Sequence, residues 1–589
     1  MLSTAGAAAV LTGVLPPGLP SHARSAVQTR ELSSGTRISR SVEVGLREPA
    51  GGPAPCGLAE DNATREALGT KNLLPPAVTD RDTEVRRAMA ALNARESLIG
   101  KYSTLMTLFE TDPATFTDVV RTNTAQVLPI VYTPGVGEAC KQWGTLVPRP
   151  PGLYVSAEDA GRVSEAVARW PADNVRVVVI TDGERILGLG DLGAHGMGIS
   201  VGKSMLYTVA AGIPPGWVLP VCLDVGCDSD AVRDDEFYVG LRRKRARGAE
   251  YNRLVDELVA ALRQRYGTDV VLHFEDFGRA NALPLLERYQ DGPTLNDDIQ
   301  STAAITLGAL LGSLRLENVP ALEKQRVLLY GAGQANLGFA RLFVRKLVTA
   351  GVPESEARKR VWLVDSKGLV YDGRNGVNEE KAEFAHPLSD LPNGRDVPDG
   401  LAAAVDAVRP TALVGASTIR GAFSAEVLKT LHRGVMAAHG SSARPIVMAL
   451  SNPDTKAECT AEEVVAAIGD AVVFASGTAF PPAKLPGGGQ LRAAQANNCL
   501  IFPGVALGTL AARSQRITEP MFLAAAEAVA QMTSAEELAV GGVLPDVQRL
   551  DEVADAVAAA VASTGANSPV GRMQERLEEL VGSGAGGSQ

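Results

Sequence analysis

What most constrains this chain is a recurring texture: short apolar runs rich in β-branched residues, set between longer stretches of helical spacing. Residues 175–180, 218–225 and 270–273 form a first series of such runs. Residues 326–330, 361–364, 412–414, 446–450 and 472–475 form a second. Runs of this length fit strands covered on both faces, as in parallel sheets flanked by helices. An α/β fold is therefore expected, with a central parallel-sheet unit and a Rossmann-type unit meeting near residue 301. Ahead of them, residues 72–126 carry apolar side chains at three- and four-residue spacing, as in Val85, Met89 and Leu92. That spacing predicts a helical N-terminal segment. The expected partition is 1–60, 61–300, 301–563 and 564–589, the last a C-terminal helix running into a frayed tail.

The chain has 589 residues, 45% of them hydrophobic and 21% charged, which is ordinary for a globular protein and argues against extensive disorder. A net charge of -10 disfavours a general nucleic-acid binder. No apolar run is long enough to span a bilayer, since the Ala-rich start is broken by Thr12, Gly13, Pro16 and Pro17. Six scattered cysteines form no CxxC pair and read as reduced thiols. The first sixty or so residues are rich in Ala, Ser, Gly and Pro, and up to Arg40 several arginines face one acid, Glu31. That balance fits an organelle transit peptide or a disordered tail.

Residues 326–330 run straight into Gly331-Ala-Gly333-Gln-Ala335-Asn336-Leu-Gly338, and helical spacing follows. Strand, glycine turn and helix are the context in which a dinucleotide pyrophosphate rests on backbone N–H groups at a helix N-terminus. Gly331, Gly333 and Ala335 are the candidate contacts. Asn336 stands where a small residue is normally needed for close packing, with Gly338 placed to relieve the crowding. Asp365 closes the next apolar run at the distance where an acid meets the adenosine ribose. Ser366, Lys367 and Lys381 follow it. A hydroxyl and ammonium groups suit a 2′-phosphate, so NADP is favoured over NAD.

Glu275-Asp276 ends one apolar run, and Asp297-Asp298 interrupts the approach to a helix. Paired carboxylates among apolar residues are costly unless they share a cation. Ligands that are all oxygen suit Mg²⁺ or Mn²⁺ rather than zinc. Spacing alone leaves open whether the two pairs converge. Arg185, on a Gly-rich loop, is either a surface arginine or a fork for a carboxylate. Lys203, heading an apolar helical run, is either a snorkelling surface lysine or a desolvated base. Tyr132 lies on a Pro-constrained turn, where anchoring the loop is the alternative role.

Together these segments resemble the malic enzyme family, in its NADP-type, plant- or algal-like form. The matching stretches are VYTPGVGEAC (131–140), TDGERILGLGDLG (181–193), GMGISVGK (196–203), FEDF (274–277), NDDIQ (296–300), VDSKGL (364–369), ALSNP (449–453) and NNCLIFPGVALG (497–508). The resemblance implies oxidative decarboxylation of malate to pyruvate and CO₂, with NADP or NAD reduced, in a dimer or tetramer. It implies Glu275, Asp276 and Asp298 as ligands of Mg²⁺ or Mn²⁺. It makes Lys203 the general base, Asp297 its partner and Tyr132 the general acid, with Arg185, Asn452 and Asn498 on the substrate. Residues 61–300 then form the catalytic, metal-binding domain and 301–563 the NAD(P)-binding domain. The leader would direct the chain to a chloroplast ahead of a mitochondrion, or leave it cytoplasmic if it is no transit peptide. A buried base beside a metal should have a lowered pKa.

Ser301, Asn336, Ala496, Arg420 with Gly421, and Arg279 depart from the family pattern, and none removes a group the chemistry needs. Three alternatives stand beside this expectation: an NAD-preferring member, a decarboxylase of a related hydroxy acid such as tartrate, and a catalytically silent dinucleotide-binding regulator. No feature supports a nucleic-acid or membrane partner.

Overall fold

The computed structural model describes residues 57–147, 152–392 and 396–564. The expected leader, up to residue 56, and the tail beyond 564 lie outside the described residues. The N-terminal segment is helical but divided into α1 (Arg81–Asn93), α2 (Leu98–Thr111), α3 (Pro113–Thr122), α4 (Thr124–Val131) and α5 (Gly135–Lys141). The first three divisions have local causes. Asp80, Ser97 and Asp112 each accept the backbone N–H three residues on, and Pro113 occupies the first position of α3.

The first sheet contains β1 (Leu153–Ser156), β2 (Val177–Thr181), β3 (Val218–Asp224), β4 (Val271–Phe274) and β5 (Thr294–Asn296). All run parallel, in the order β1-β3-β2-β4-β5. Every residue of β2, β3 and β4 is buried, which is why their sequences are continuous apolar runs. Helix α6 (Met197–Ala211) is buried along its whole length and covers β2 and β3.

The second sheet contains β6 (Val327–Tyr330), β7 (Val361–Asp365), β8 (Gly368–Leu369), β9 (Ala412–Gly415), β10 (Ile446–Ala449) and β11 (Val473–Ser476). After a hairpin of β12 (Ala483–Lys484) and β13 (Gln490–Leu491), β14 (Ala494–Gln495) completes it. The order is β14-β11-β10-β9-β6-β7-β8, and only β8 is antiparallel to its neighbour. The direction of winding reverses between β6 and β9, the place where sheets of this kind bind ligands at their carboxyl ends.

Helices α7 (Thr302–Ser313), α8 (Gln334–Thr349), α9 (Phe502–Ala511), α10 (Glu519–Met532) and α11 (Leu550–Thr564) pack around both units. Where α9 crosses α11, a Cβ on Gly504 would lie 2.6 Å from Val557 Cβ, and one on Gly508 2.6 Å from Ala558 O. The two backbones approach closer than any larger residue permits. That contact fixes α9, and with it the buried ring of Phe502 beside Lys203.

Candidate active site

Phe274 of β4 pairs with Asn296 of β5. The residues that follow on each strand, Glu275-Asp276 and Asp297-Asp298, therefore leave the sheet side by side. Asp276 N–H donates to Asp298 Oδ2 (3.0 Å). Asp276 has φ +56°, a strained conformation for a residue with a side chain. Leu187 N–H donates to its Oδ2 and Arg185 N–H to its carbonyl, both at 3.1 Å, and hold it there. After β5 the chain makes a π-helical turn, Asp297–Ser301, a feature that recurs at functional sites.

Lys203, on α6, reaches these strand ends. Its Nζ lies 2.5 Å from Asp297 Oδ2 and 3.0 Å from Glu275 Oε1. The ring centre of Phe502 is 4.6 Å away and that of Tyr132 5.3 Å. Asn498 Nδ2 donates to Asp297 Oδ2 (2.7 Å) and to Thr302 Oγ1 (3.0 Å). Burial alone would lower the Lys203 pKa, as the sequence suggests. The charges of Asp297 and Glu275 outweigh it and hold the ammonium well above its ordinary value. Without a cation on Glu275, Lys203 is thus half of a buried ion pair, and the lowered pKa expected of a base beside a metal belongs to the metal-bound site. Burial pushes Asp297 up, but Lys203 outweighs it and the carboxyl sits below its usual range. Burial also raises the Tyr132 phenol more than Lys203 lowers it, so the hydroxyl keeps its proton.

An open cleft brings together Tyr132, Lys203, Glu275, Asp276, Asp297, Asp298, Asn452 and Asn498. Thr478 Oγ1 donates to Asn452 Oδ1 (2.7 Å). Arg185 does not line this cleft; its side chain is exposed at the rim, and its charge is felt at Asp298.

Burial, then the neighbouring carboxylates, raise Asp298 to about 7, and burial with Asp297 against the pull of Lys203 raises Glu275 to about 8. The same causes lift Asp276 far above its ordinary value. Three carboxyl groups that resist ionising together form a donor set short of positive charge, and oxygen donors suit a hard dication. A tighter grouping, His273, Glu275 and Asp297, has ligand atoms within 4.8 Å of one another. There most of the atoms are already engaged: Lys203 meets one oxygen of each carboxylate and the two His273 nitrogens meet Tyr207 and Glu275, which leaves Asp297 Oδ1 as the unpartnered atom of the group. Glu275, Asp276 and Asp298 are the better fit to a metal ion.

At the second sheet, β6 is followed at once by Gly331 at φ +94°, where a Cβ would lie 2.5 Å from Ala416 O. Only glycine fits. Gly333 caps α8 and Ala335 lies in its first turn. Asn336 does not crowd the packing; its Nδ2 donates to Tyr330 O (3.1 Å) and Gly331 O (2.9 Å), tying the turn to the strand. The close approach belongs to Gly338, where a Cβ would lie 2.8 Å from Ile299 O. Asp365 ends β7 with both oxygens occupied. Arg374 grips it through two nitrogens (2.9 and 2.7 Å), Lys381 Nζ lies at 2.6 Å, and Lys367 N–H donates at 2.9 Å. Burial opposes the charge, but Arg374 and Lys381 outweigh it and hold the carboxyl far below its usual range. The side chains of Ser366 and Lys367 are exposed beside it.

Residues 110–290 match the family model for the malic enzyme N-terminal domain, and residues 299–566 that for the malic enzyme NAD-binding domain. The NADP-dependent malic enzyme of Sus scrofa is 42% identical over 490 residues, 83% of this chain and 85% of that protein. The chain belongs to the malic enzyme family. The chloroplastic NADP-dependent malic enzyme of Zea mays is 40% identical over 86% of this chain and 78% of its own length. The malic enzyme fold is also seen in the crystal structure of the Entamoeba histolytica malic enzyme, at a TM-score of 0.53 and 21% identity, covering 90% of this chain and 94% of that one.

Three side chains of this malic enzyme site escaped the sequence reading. Arg374 sits in a Gly-rich turn with nothing in its spacing to link it to Asp365. His273 is masked by the apolar run of β4. Glu458, wholly buried, accepts from Ser417 N–H (2.7 Å), Ser417 Oγ (2.8 Å) and Ser451 Oγ (2.6 Å). It ties the loop after β9, where Arg420 stands exposed, to the loop carrying Asn452.

Proposed function

We propose that this member of the malic enzyme family catalyses the metal-dependent oxidative decarboxylation of malate to pyruvate and CO₂, with reduction of NADP. The carrying observation is Lys203 held between Asp297 and Glu275 in a cleft that Tyr132 also lines. Lys203 accepts the proton of the malate C2 hydroxyl while the C2 hydrogen leaves as hydride to the nicotinamide. The C3–C4 bond then breaks, CO₂ departs, and its bonding pair remains as the enolate of pyruvate. Tyr132, which keeps its proton, delivers it to C3. Asp297 positions Lys203, and Asn498 positions Asp297. Asn452, Asn498 and the rim guanidinium of Arg185 offer donors to the substrate oxygens. Glu275, Asp276 and Asp298 would hold Mg²⁺ or Mn²⁺, which supplies Lewis-acid stabilisation of the charge developing on the C2 oxygen. Committing Glu275 to that role leaves Asp297 as the main partner of the ammonium and eases its loss of a proton.

NADP is favoured over NAD because the acid that would take a free ribose diol, Asp365, is already bound by Arg374 and Lys381. Gly331, Gly333 and Ala335 would carry the pyrophosphate, and Ser366, Lys367 and Lys381 the 2′-phosphate. Relatives about 40% identical that are named NADP-dependent malic enzyme support the same reading. The reading extends to a catalytic domain over 61–300, a dinucleotide domain over 301–563, and a dimer or tetramer. It places the chain in a chloroplast ahead of a mitochondrion, or in the cytoplasm if no leader is removed; relatives are named for both organelles. No helix among the described residues is long and apolar enough to cross a membrane.

Purified protein given malate, Mn²⁺ and either NADP or NAD should form pyruvate and reduced cofactor in equal amounts, faster with NADP. Reduced cofactor without pyruvate would make it a simple dehydrogenase, and silence with both cofactors would overturn the proposal. Faster turnover with NAD would overturn only the cofactor preference.

A further inference from the structure

Behind the cleft, two buried side chains with no role in the chemistry above converge on Glu275. Tyr207 follows Lys203 by one turn on α6, and His273 precedes Glu275 by two residues at the end of β4. Helical and strand spacing therefore place each pair on one face of its element. Tyr207 Oη lies 2.7 Å from His273 Nδ1, His273 Nε2 lies 3.1 Å from Glu275 Oε2, and Glu275 Oε1 lies 3.0 Å from Lys203 Nζ. The chain of contacts closes a ring from α6 to β4 and back. The Phe502 ring packs edge-on against both Tyr207 and His273, with centroids 5.0 and 5.2 Å away.

The partners set the tautomer. As a metal ligand Glu275 is ionised and only accepts, so Nε2 carries the imidazole proton toward it. Nδ1 of the neutral ring is then an acceptor, and the Tyr207 hydroxyl is its donor. Glu275 thus has one oxygen taken by His273, and the other is left to Lys203. We infer that Tyr207 and His273 are positioning residues that fix the Glu275 carboxylate for metal binding, an inference that rests on Glu275 being a metal ligand. Outer partners of this kind typically change metal affinity about 10- to 100-fold when removed.

Mn²⁺ binding to the full-length protein, followed by electron paramagnetic resonance of free Mn²⁺ without substrate, tests this. Glu275→Gln should largely abolish binding. His273→Leu should weaken it about 10- to 100-fold, and Tyr207→Phe less. His273→Gln, whose amide can still donate to Glu275, should recover most of the affinity. NADPH binding should be unchanged in all of them. A merely structural pair would lower the thermal midpoint and leave Mn²⁺ affinity intact, which overturns the inference. If His273→Leu fails to fold, unchanged Mn²⁺ affinity in the near-isosteric Tyr207→Phe overturns it instead. His273→Gln as damaging as His273→Leu would make the imidazole itself a ligand, and also overturns it. Full Mn²⁺ affinity in Glu275→Gln would sink the underlying assignment of Glu275, whereas its loss there with none in His273→Leu sinks only the positioning role.

Discussion

Lys203 Nζ and Asp297 Oδ2 stand 2.5 Å apart, one on α6 and the other on the turn after β5, and each side chain is 1% exposed. Removing one partner of a buried pair strands the other charge, at a cost of about 3–5 kcal/mol. Substitutions that keep the charge are therefore the informative ones.

Lys203→Arg preserves a cation beside Asp297 but cannot release its proton at working pH. The variant should fold, bind NADPH and lose about 10²- to 10⁴-fold in kcat. Steady-state rates with malate check this, and an unchanged kcat would remove Lys203 as the base. Tyr132→Phe should stop exchange of the pyruvate methyl hydrogens with D₂O, followed by proton NMR.

Stripping divalent ions with a chelator should abolish turnover, and added Mn²⁺ should restore it. Mn²⁺ at about 100 times its Kd should stabilise the fold by about 2.7 kcal/mol, visible as a higher thermal midpoint. Asp276→Asn should lose that rise, because asparagine keeps the left-handed backbone but not the charge. A rise of the same size in the variant would exclude Asp276 as a ligand.

Lys381→Ala removes one of the two cations on Asp365 and, in the proposed function, a contact to the 2′-phosphate. A hydrogen bond to a charged group is worth about 1.5–3 kcal/mol. The KM for NADP should rise about 10- to 100-fold while that for NAD changes little. Equal changes for both cofactors would count against the assignment.

Asp365 also gives a pH signature. Its folded pKa is depressed, so its stabilising effect is complete above the unfolded value, near 4, and is lost as pH falls through the folded one. Urea unfolding should show wild type more stable than Asp365→Asn by a constant margin above about pH 5, narrowing below about pH 4. A margin that widens in acid would reverse the sign and refute the ion-pair origin.

Gly508→Val would drive a side chain into Ala558 O across the α9–α11 crossing. Overpacking costs about 1–3 kcal/mol or more, so the urea midpoint should fall clearly. An unchanged midpoint would mean the crossing relaxes freely.

Much of the fold was legible because burial on both faces leaves a strand no reason to alternate. The cores of β2, β3, β4, β6, β7, β9, β10 and β11 stand where the apolar runs place them, within a residue or two. β1, β5, β8 and β14 were not legible: the last three have only two or three residues, and β1, at the sheet edge with alternating burial, carries no continuous apolar run. The acids, the lysine and the glycine turn could be named because their chemistry is unusual in apolar surroundings.

The sequence by itself determined which groups this protein has and the local frame each occupies, because burial and backbone geometry act on neighbours in the chain. Only the tertiary structure decided which groups meet. Strand register sets Asp276 against Asp298, 22 residues away. A turn brings Arg374 to Asp365, and a helix brings Tyr207 to His273. It also decided the sign of the Lys203 shift: burial and carboxylates pull in opposite directions, and only the distances say that Asp297 and Glu275 prevail.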